Sequence, residues 1–179
     1  FQEPRLLPWR TVRQNLALVL QRDEYWKIEP LLLEMGLVDW IDKFPRELSL
    51  GMARRVALAR SLVVEPELIL MDEPFVSLDP PTAEELQDSI LRIRQTRPRT
   101  GVLLVTHDVR EALKMADRIL MLGGQPTAVV AEYQPKSDSS MNQQLASMEP
   151  ILRAAYISTG SESRGPITEQ IYGSSVGGL

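Results

Sequence analysis

Two adjacent carboxylates, Asp72 and Glu73, close the apolar run Leu68-Ile69-Leu70-Met71, and the only histidine, His107, follows a second such run, Val102-Leu103-Leu104-Val105. Paired acids at the end of an apolar strand suit metal-assisted phosphoryl chemistry, in which one carboxylate holds magnesium and the other orients or deprotonates a water. The plainer alternative is that acids simply end strands and that a lone histidine is structural. A further group stands at Ser49-Leu50-Gly51-Met52, where a capping hydroxyl, a glycine and the free N–H groups of a helix start can form an anion site. A serine cap close to a glycine is equally an ordinary helix start. The pairs Arg54-Arg55 and Arg97 with Arg99 read as solvated or partner-facing, with phosphate contact as the alternative. Trp9 and Trp40 read as packing or interface residues rather than stacking platforms.

These groups need elements to hold them, and the spacing of apolar residues supplies candidates. Thr11 caps a short helix through Val12, Leu16 and Val19, and a second helical stretch from about Tyr25 carries Leu31, Leu32 and Met35 to a stop at Gly36. Ser49 opens a helix through Met52, Val56, Ala59, Leu62 and Val63 that ends before Pro66. The continuous run at Leu68 to Met71 predicts a strand buried on both faces in a parallel sheet, with Val102 to Val105 as a second. A helix from about Thr82 to Gln95 separates them, and another runs from Asp108 to about Ala116. Ile119 to Leu122 and Ala128 to Ala131 supply two more strands about a turn at Gly123-Gly124. Alternating strands and helices are the grammar of an α/β sheet. In a parallel sheet Asp72-Glu73 and Thr106-His107 emerge along one edge, where ligands of such sheets bind.

Composition bounds the rest. A chain of 179 residues with 44% hydrophobic and 25% charged residues is of globular type, long enough for a core. No cysteine means no disulfide framework, thiolate metal site or catalytic cysteine, and one histidine excludes a multi-histidine metal site. A net charge of -4 gives no general attraction to polyanions, so a nucleic-acid partner is not expected. No apolar run approaches the roughly 20 residues that span a bilayer, and the first residues lack the design of a signal peptide, so a cytoplasmic location is expected. None of the lysines, Lys27, Lys43, Lys114 and Lys136, follows a glycine, so the chain holds no phosphate-binding P-loop. It starts without methionine, at residues that read like the middle of a domain, and the expectation is a chain incomplete at its N-terminus. Beyond Lys136 charges thin out and glycines gather. One short helix, roughly Met141 to Tyr156, is expected there, and the stretch Gly173 to Gly178 reads as disordered.

Taken in order, Phe1-Gln2-Glu3, Leu48-Ser49-Leu50-Gly51-Met52-Ala53-Arg54-Arg55-Val56, Leu68-Ile69-Leu70-Met71-Asp72-Glu73-Pro74, Ser77-Leu78-Asp79 and Thr106-His107-Asp108 resemble an ABC transporter ATP-binding subunit. The stretch Leu7-Pro8-Trp9-Arg10-Thr11-Val12 with Asn15, Gly51-Met52 and Pro74-Phe75 further resembles the nitrate, sulfonate and taurine importer branch. The resemblance implies an α/β fold of the P-loop NTPase type, a mostly parallel sheet flanked by helices with an inserted helical subdomain. It divides the chain into a partial ATPase domain at 1–133, with the helical and signature segments in 1–65 and the later strands in 66–133, and an extension at 134–179.

The same resemblance implies roles. Gln2 would sense magnesium and the attacking water, and Asp72 would lie at the metal. Ser49, Leu50, Gly51 and Met52 would form the signature that faces the ATP γ-phosphate held by the opposite subunit. Glu73 would be the catalytic carboxylate, Asp79 the D-loop aspartate and His107 the switch that stabilises the γ-phosphate. ATP and Mg2+ are the implied cofactors. The implied partners are transmembrane permease subunits, a second ATP-binding subunit and, indirectly, a solute-binding protein, at the cytoplasmic face of the membrane. Leu50 and Met52 depart from the usual LSGGQ, and the Walker A loop that cradles the phosphates is missing from the chain. The alternatives are a non-hydrolysing partial subunit, the ATPase of a lipid or drug exporter, and a DNA-repair or translation-factor relative. The short distance from Gln2 to Ser49 leaves no room for the long coiled-coil insertion of a DNA-repair relative, and no second ATPase domain follows.

Overall fold

In the computed structural model, residues 4–136 and 138–158 are described. The chain divides into two units, Phe1–Val105 and Thr106–Leu179. In the first, Thr11 Oγ1 accepts the Gln14 N–H at 3.3 Å while the Gln14 side chain accepts the Thr11 N–H at 3.1 Å. This reciprocal box satisfies two orphan donors and starts α1 (Val12–Ala17). A 3-10 stretch at Arg22–Lys27 leads into α2 (Ile28–Glu34), and Gly36 at φ 66 turns the chain out of it. Ser49 Oγ accepts the Met52 N–H at 3.2 Å and caps α3 (Leu50–Leu62), as its position in the sequence predicts.

β1 (Leu68–Asp72) follows, then α4 (Pro80–Thr96) and β2 (Gly101–Val105). α4 begins ahead of the expected Thr82 because Asp79 caps it and prolines fill its first turn, where a missing N–H costs nothing. β1 and β2 pair in parallel, from Leu68 opposite Gly101 to Asp72 opposite Val105. The expected burial on both strand faces is not met. Ile69 and Met71 are buried, whereas Leu70 is 68% exposed and Leu103 of β2 is 53% exposed. Successive side chains leave a strand on opposite faces, and among the described residues only the Ile69 and Met71 face is covered.

α3 packs against α1, α2 and α4, so its buried positions Gly51, Val56, Leu58, Ala59 and Leu62 form a broad band rather than a narrow stripe. Leu16, Leu32, Leu62 and Ile90 are almost wholly enclosed in this unit, each contributing about 1.5–3 kcal/mol by burial.

The second unit holds α5 (Val109–Met115), the antiparallel pair β3 (Ile119–Gly123) and β4 (Ala128–Tyr133), and α6 (Met141–Ser158). Gly124 at φ 84 makes the turn between the strands. Leu145 and Met148 of α6 bury against Leu113 and Ile119. The helix expected near Met141 is therefore present and closes a small core on the hairpin. The stretch from Gly173 to Gly178 lies outside the described residues.

Candidate functional site

Glu73 immediately follows β1 and adopts a left-handed backbone at φ 45, which few residues other than glycine take without support. Its N–H donates to the Val105 carbonyl at 2.9 Å, so the parallel pairing extends one residue past the end of the strand. A tight turn then closes, with the Val76 N–H donating to the Glu73 carbonyl at 3.3 Å and the Leu78 N–H to the Phe75 carbonyl at 3.2 Å. Ser77 is left-handed too, at φ 64, and Phe75 between the two is buried. Such outliers persist where the surroundings over-determine them, and they gather at functional sites. Asp72 ends β1 with an exposed side chain, and Glu73 beside it is half-buried.

The turn runs into Asp79, whose side chain accepts the Thr82 N–H at 3.2 Å. Hydrogen bonds donated by the Thr82 hydroxyl and then by its backbone N–H hold the Asp79 carboxyl below its ordinary value. Thr82 also lies close to Gly51, at the start of α3. A Cβ added at Gly51 would lie 2.1 Å from the Thr82 Cγ2 methyl, closer than any side-chain carbon can sit. The starts of α3 and α4, carrying Ser49 and Asp79 as caps, therefore meet at Gly51 and Thr82. Leu50 is 45% exposed at the head of α3, and Met52 is half-buried.

His107 lies in the second unit with its side chain exposed. The loop around it is tied on both sides. Thr106 Oγ1 donates to Glu111 at 2.5 Å and accepts the Asp108 N–H at 3.0 Å, while Asp108 caps α5 through the Arg110 and Glu111 N–H groups. Gln2 falls outside the described residues. The nearby Arg5 is left-handed at φ 43, and its carbonyl accepts two hydrogen bonds from the Arg60 guanidinium of α3 at 3.2 Å.

Arg54, Arg55 and Arg97 make internal contacts where the sequence predicts a solvated or partner-facing role, while Arg99 is exposed as expected. Arg54 reaches from α3 to the Pro74 and Val76 carbonyls in the turn after Glu73. Arg55 pairs with Glu85 of α4 at 3.2 Å, and Arg97 makes a two-pronged pair with Glu34 of α2 at 2.7 and 2.9 Å. Hydrogen bonding from Arg97 holds the Glu34 carboxyl below its ordinary value. These partners are remote in sequence, and no local pattern marks them. Trp9 is 70% exposed and Trp40 half-buried.

Among the described residues no group of three or more acids and histidines is placed to hold a metal, and no helix is long and apolar enough to cross a membrane.

The ABC transporter family profile matches residues 1–76. Over 135 residues, the chain is 45% identical to an aliphatic sulfonates import ATP-binding protein SsuB of Pseudomonas aeruginosa, covering 74% of this chain and 53% of that protein. It is 54% identical over 126 residues to an SsuB protein of Frankia alni, covering 68% and 50%. It is 42% identical over 157 residues to the nitrate import ATP-binding protein NrtC of Synechococcus elongatus, covering 83% of this chain and 24% of that one. The chain thus spans about half the length of the sulfonate-import relatives. Its fold is similar to that of cbiO1 from Clostridium perfringens, part of the ABC transporter complex cbiONQ, with a TM-score of 0.68 at 23% identity over 88% of this chain and 65% of that one. It is also similar to MJ1267, an ATP-binding cassette of an ABC transporter in its ADP conformation, with a TM-score of 0.66 at 19% identity over 84% and 64%. The α/β architecture is accordingly that of the P-loop NTPase fold. Motifs, relatives and fold agree that the chain belongs to the ABC transporter ATP-binding family.

Proposed function

We propose that the protein carrying this chain is the ATP-hydrolysing subunit of an importer for a small anionic solute of the nitrate, sulfonate or taurine type. The observation that carries the reading is Glu73, turned into a left-handed conformation at the end of β1 and tied by its N–H to Val105. The similarity to sulfonate- and nitrate-import proteins supports the solute class.

In this reading Asp72 offers an exposed carboxylate at the end of the strand, a hard oxygen ligand of the kind magnesium takes. Magnesium usually rides on one or two carboxylates with phosphates and waters, and Asp72 would supply one such carboxylate. Bound there, the ion would neutralise charge on the transferring phosphoryl group. Glu73 orients the attacking water and accepts its proton. His107 donates to the γ-phosphate from a loop fixed by Thr106, Asp108 and Glu111. Ser49 and the first N–H groups of α3 present a helix start to the phosphate held by a second subunit, with Leu50, Gly51 and Met52 shaping that surface. Gln2 links the metal and water to the helical segment, and Asp79 belongs to the contact between subunits. Permease subunits, a second ATP-binding subunit and a solute-binding protein are the partners, at the cytoplasmic face of the membrane.

The reading is tested on the full-length protein with Glu73→Gln. Mg-ATP binding should persist while hydrolysis falls by roughly 10²- to 10⁴-fold, the usual worth of a general base. Unchanged turnover would remove Glu73 from its role and the reading with it.

A further inference from the structure

We propose that Arg54 is a positioning residue for Glu73: its guanidinium holds the turn that follows β1 and thereby sets the direction in which the Glu73 carboxylate leaves the strand. The inference rests on the hydrolytic role given to Glu73 above.

The guanidinium donates from its two terminal nitrogens to two carbonyls of one short turn, Nη1 to Pro74 and Nη2 to Val76, the latter at 2.5 Å. Those carbonyls lie between the left-handed residues Glu73 and Ser77, with buried Phe75 between them. A planar guanidinium with donors in a rigid fork can bridge two carbonyls at fixed separation, and charge-assisted bonds of this type are stronger than neutral ones. The turn supplies its own 3.3 Å bond from Val76 N–H to the Glu73 carbonyl, and β2 supplies the Val105 carbonyl on the other side. Arg54 adds two bonds to the same turn from α3, the helix capped by Ser49.

The cost of placing a charge here is visible. Burial pulls the Arg54 guanidinium below the ordinary arginine value, yet it stays cationic at neutral pH. A lysine would retain the charge but has a single ammonium in place of the fork, so it cannot hold both carbonyls in the same geometry. A glutamine of shorter reach would lose both.

The experiment uses the full-length protein, Mg-ATP and single-turnover rates, with Arg54→Gln and Arg54→Lys made in the wild type and in Glu73→Gln. Arg54→Gln should lower the rate about 10- to 100-fold with KM for ATP within about twofold, the mark of an interaction realised in the transition state. Arg54→Lys should fall between it and the wild type. In the Glu73→Gln background neither substitution should lower the residual rate further, because the turn then has no carboxylate to aim, while any loss of thermal stability should be the same in both backgrounds. Equal further losses of rate in the two backgrounds, or a change in KM alone, would overturn the proposal in favour of a purely structural arginine. Where Arg54→Gln does not accumulate as folded protein, Arg54→Lys is read by the same criteria. Full turnover in Glu73→Gln alone would instead overturn the role of Glu73, and is distinguished by that single variant.

Discussion

Gly51 and Thr82 meet so closely that the Cβ which Gly51 lacks would stand 2.1 Å from the Thr82 Cγ2 methyl. Any side chain at 51 must displace the Thr82 methyl, by turning that side chain or by moving the first turn of α4 away from α3. Gly51→Ala is therefore expected to destabilise the protein by about 1–3 kcal/mol, the usual cost of overpacking. Thr82→Ser removes the offending methyl and keeps the hydroxyl, so the double variant should recover most of the loss. Chemical denaturation of the three variants reads this directly. A double variant no more stable than Gly51→Ala would place the strain elsewhere.

Asn15 is wholly buried and ties the segment ahead of α1. Its Oδ1 accepts the Leu7 N–H at 2.8 Å, and its Nδ2 donates to the carbonyls of Leu7, Arg10 and Thr11 at 3.2, 3.0 and 3.0 Å. Asn15→Leu keeps the branched shape but takes away the partner of the Leu7 N–H and of the Arg10 carbonyl, while the Leu7 and Thr11 carbonyls keep the N–H groups of Arg10 and of residue 15. A loss of about 2–3 kcal/mol is expected, since each unsatisfied buried group costs on the order of 1–3 kcal/mol. Hydrogen exchange should show the Leu7 amide losing protection before the rest of the unit.

Glu34 and Arg97 form a two-pronged pair between α2 and the residue that ends α4, each about one quarter exposed. Hydrogen bonding from Arg97 depresses the Glu34 pKa in the folded protein, so the stabilisation is complete above the ordinary carboxylate value. It is lost as pH falls through the lower, folded value. Wild type should exceed Glu34→Gln by about 1–2 kcal/mol near neutral pH, between the worth of an exposed pair and that of a buried one. Denaturation curves of the two proteins should converge as the solution is acidified below the ordinary glutamate range. A gap that stays constant at acid pH would mean that the carboxylate charge contributes nothing.

Neighbouring positions on β1 should respond oppositely. Ile69 is 5% exposed and Leu70 is 68% exposed. In this 179-residue chain Ile69→Ala should cost about 2–4 kcal/mol through the lost transfer energy and the cavity left behind. Leu70→Ala should change stability by less than about 0.5 kcal/mol, as surface substitutions do. Urea midpoints measure both. Equal costs would mean that the Leu70 face is covered in solution.

The features that could be read along the chain are those whose causes lie within a few residues. Thr11 with Gln14, and Ser49 ahead of its helix, announce helix starts because a side-chain oxygen and an N–H three positions on need nothing else to meet. The run from Leu68 to Met71 announces a strand, and the acids after it mark where that strand ends. The candidate residues Glu73 and His107 were legible for the same reason, being polar groups at the ends of apolar runs. What could not be read is what stands across from each element. Burial on both faces of β1 was expected from its composition, but burial is decided by neighbours on the far side of the sheet, and Leu70 and Leu103 have none covering them among the described residues. Arg54 and Arg97 looked like solvated charges because their partners, the carbonyls of Pro74 and Val76 and the carboxylate of Glu34, are distant in sequence.

By itself the sequence determined the motif set, the caps, the strand that ends at Asp72 and the family to which the chain belongs, because local hydrogen bonding and side-chain period are written residue by residue. Only the tertiary structure decided that Gly51 must be small because Thr82 is there, that Glu73 is held left-handed, and that Arg54 spans the turn beside it. Close approach of two helices and the reach of a guanidinium to a remote carbonyl are set by how elements pack, and that packing brings together residues that no local spacing connects.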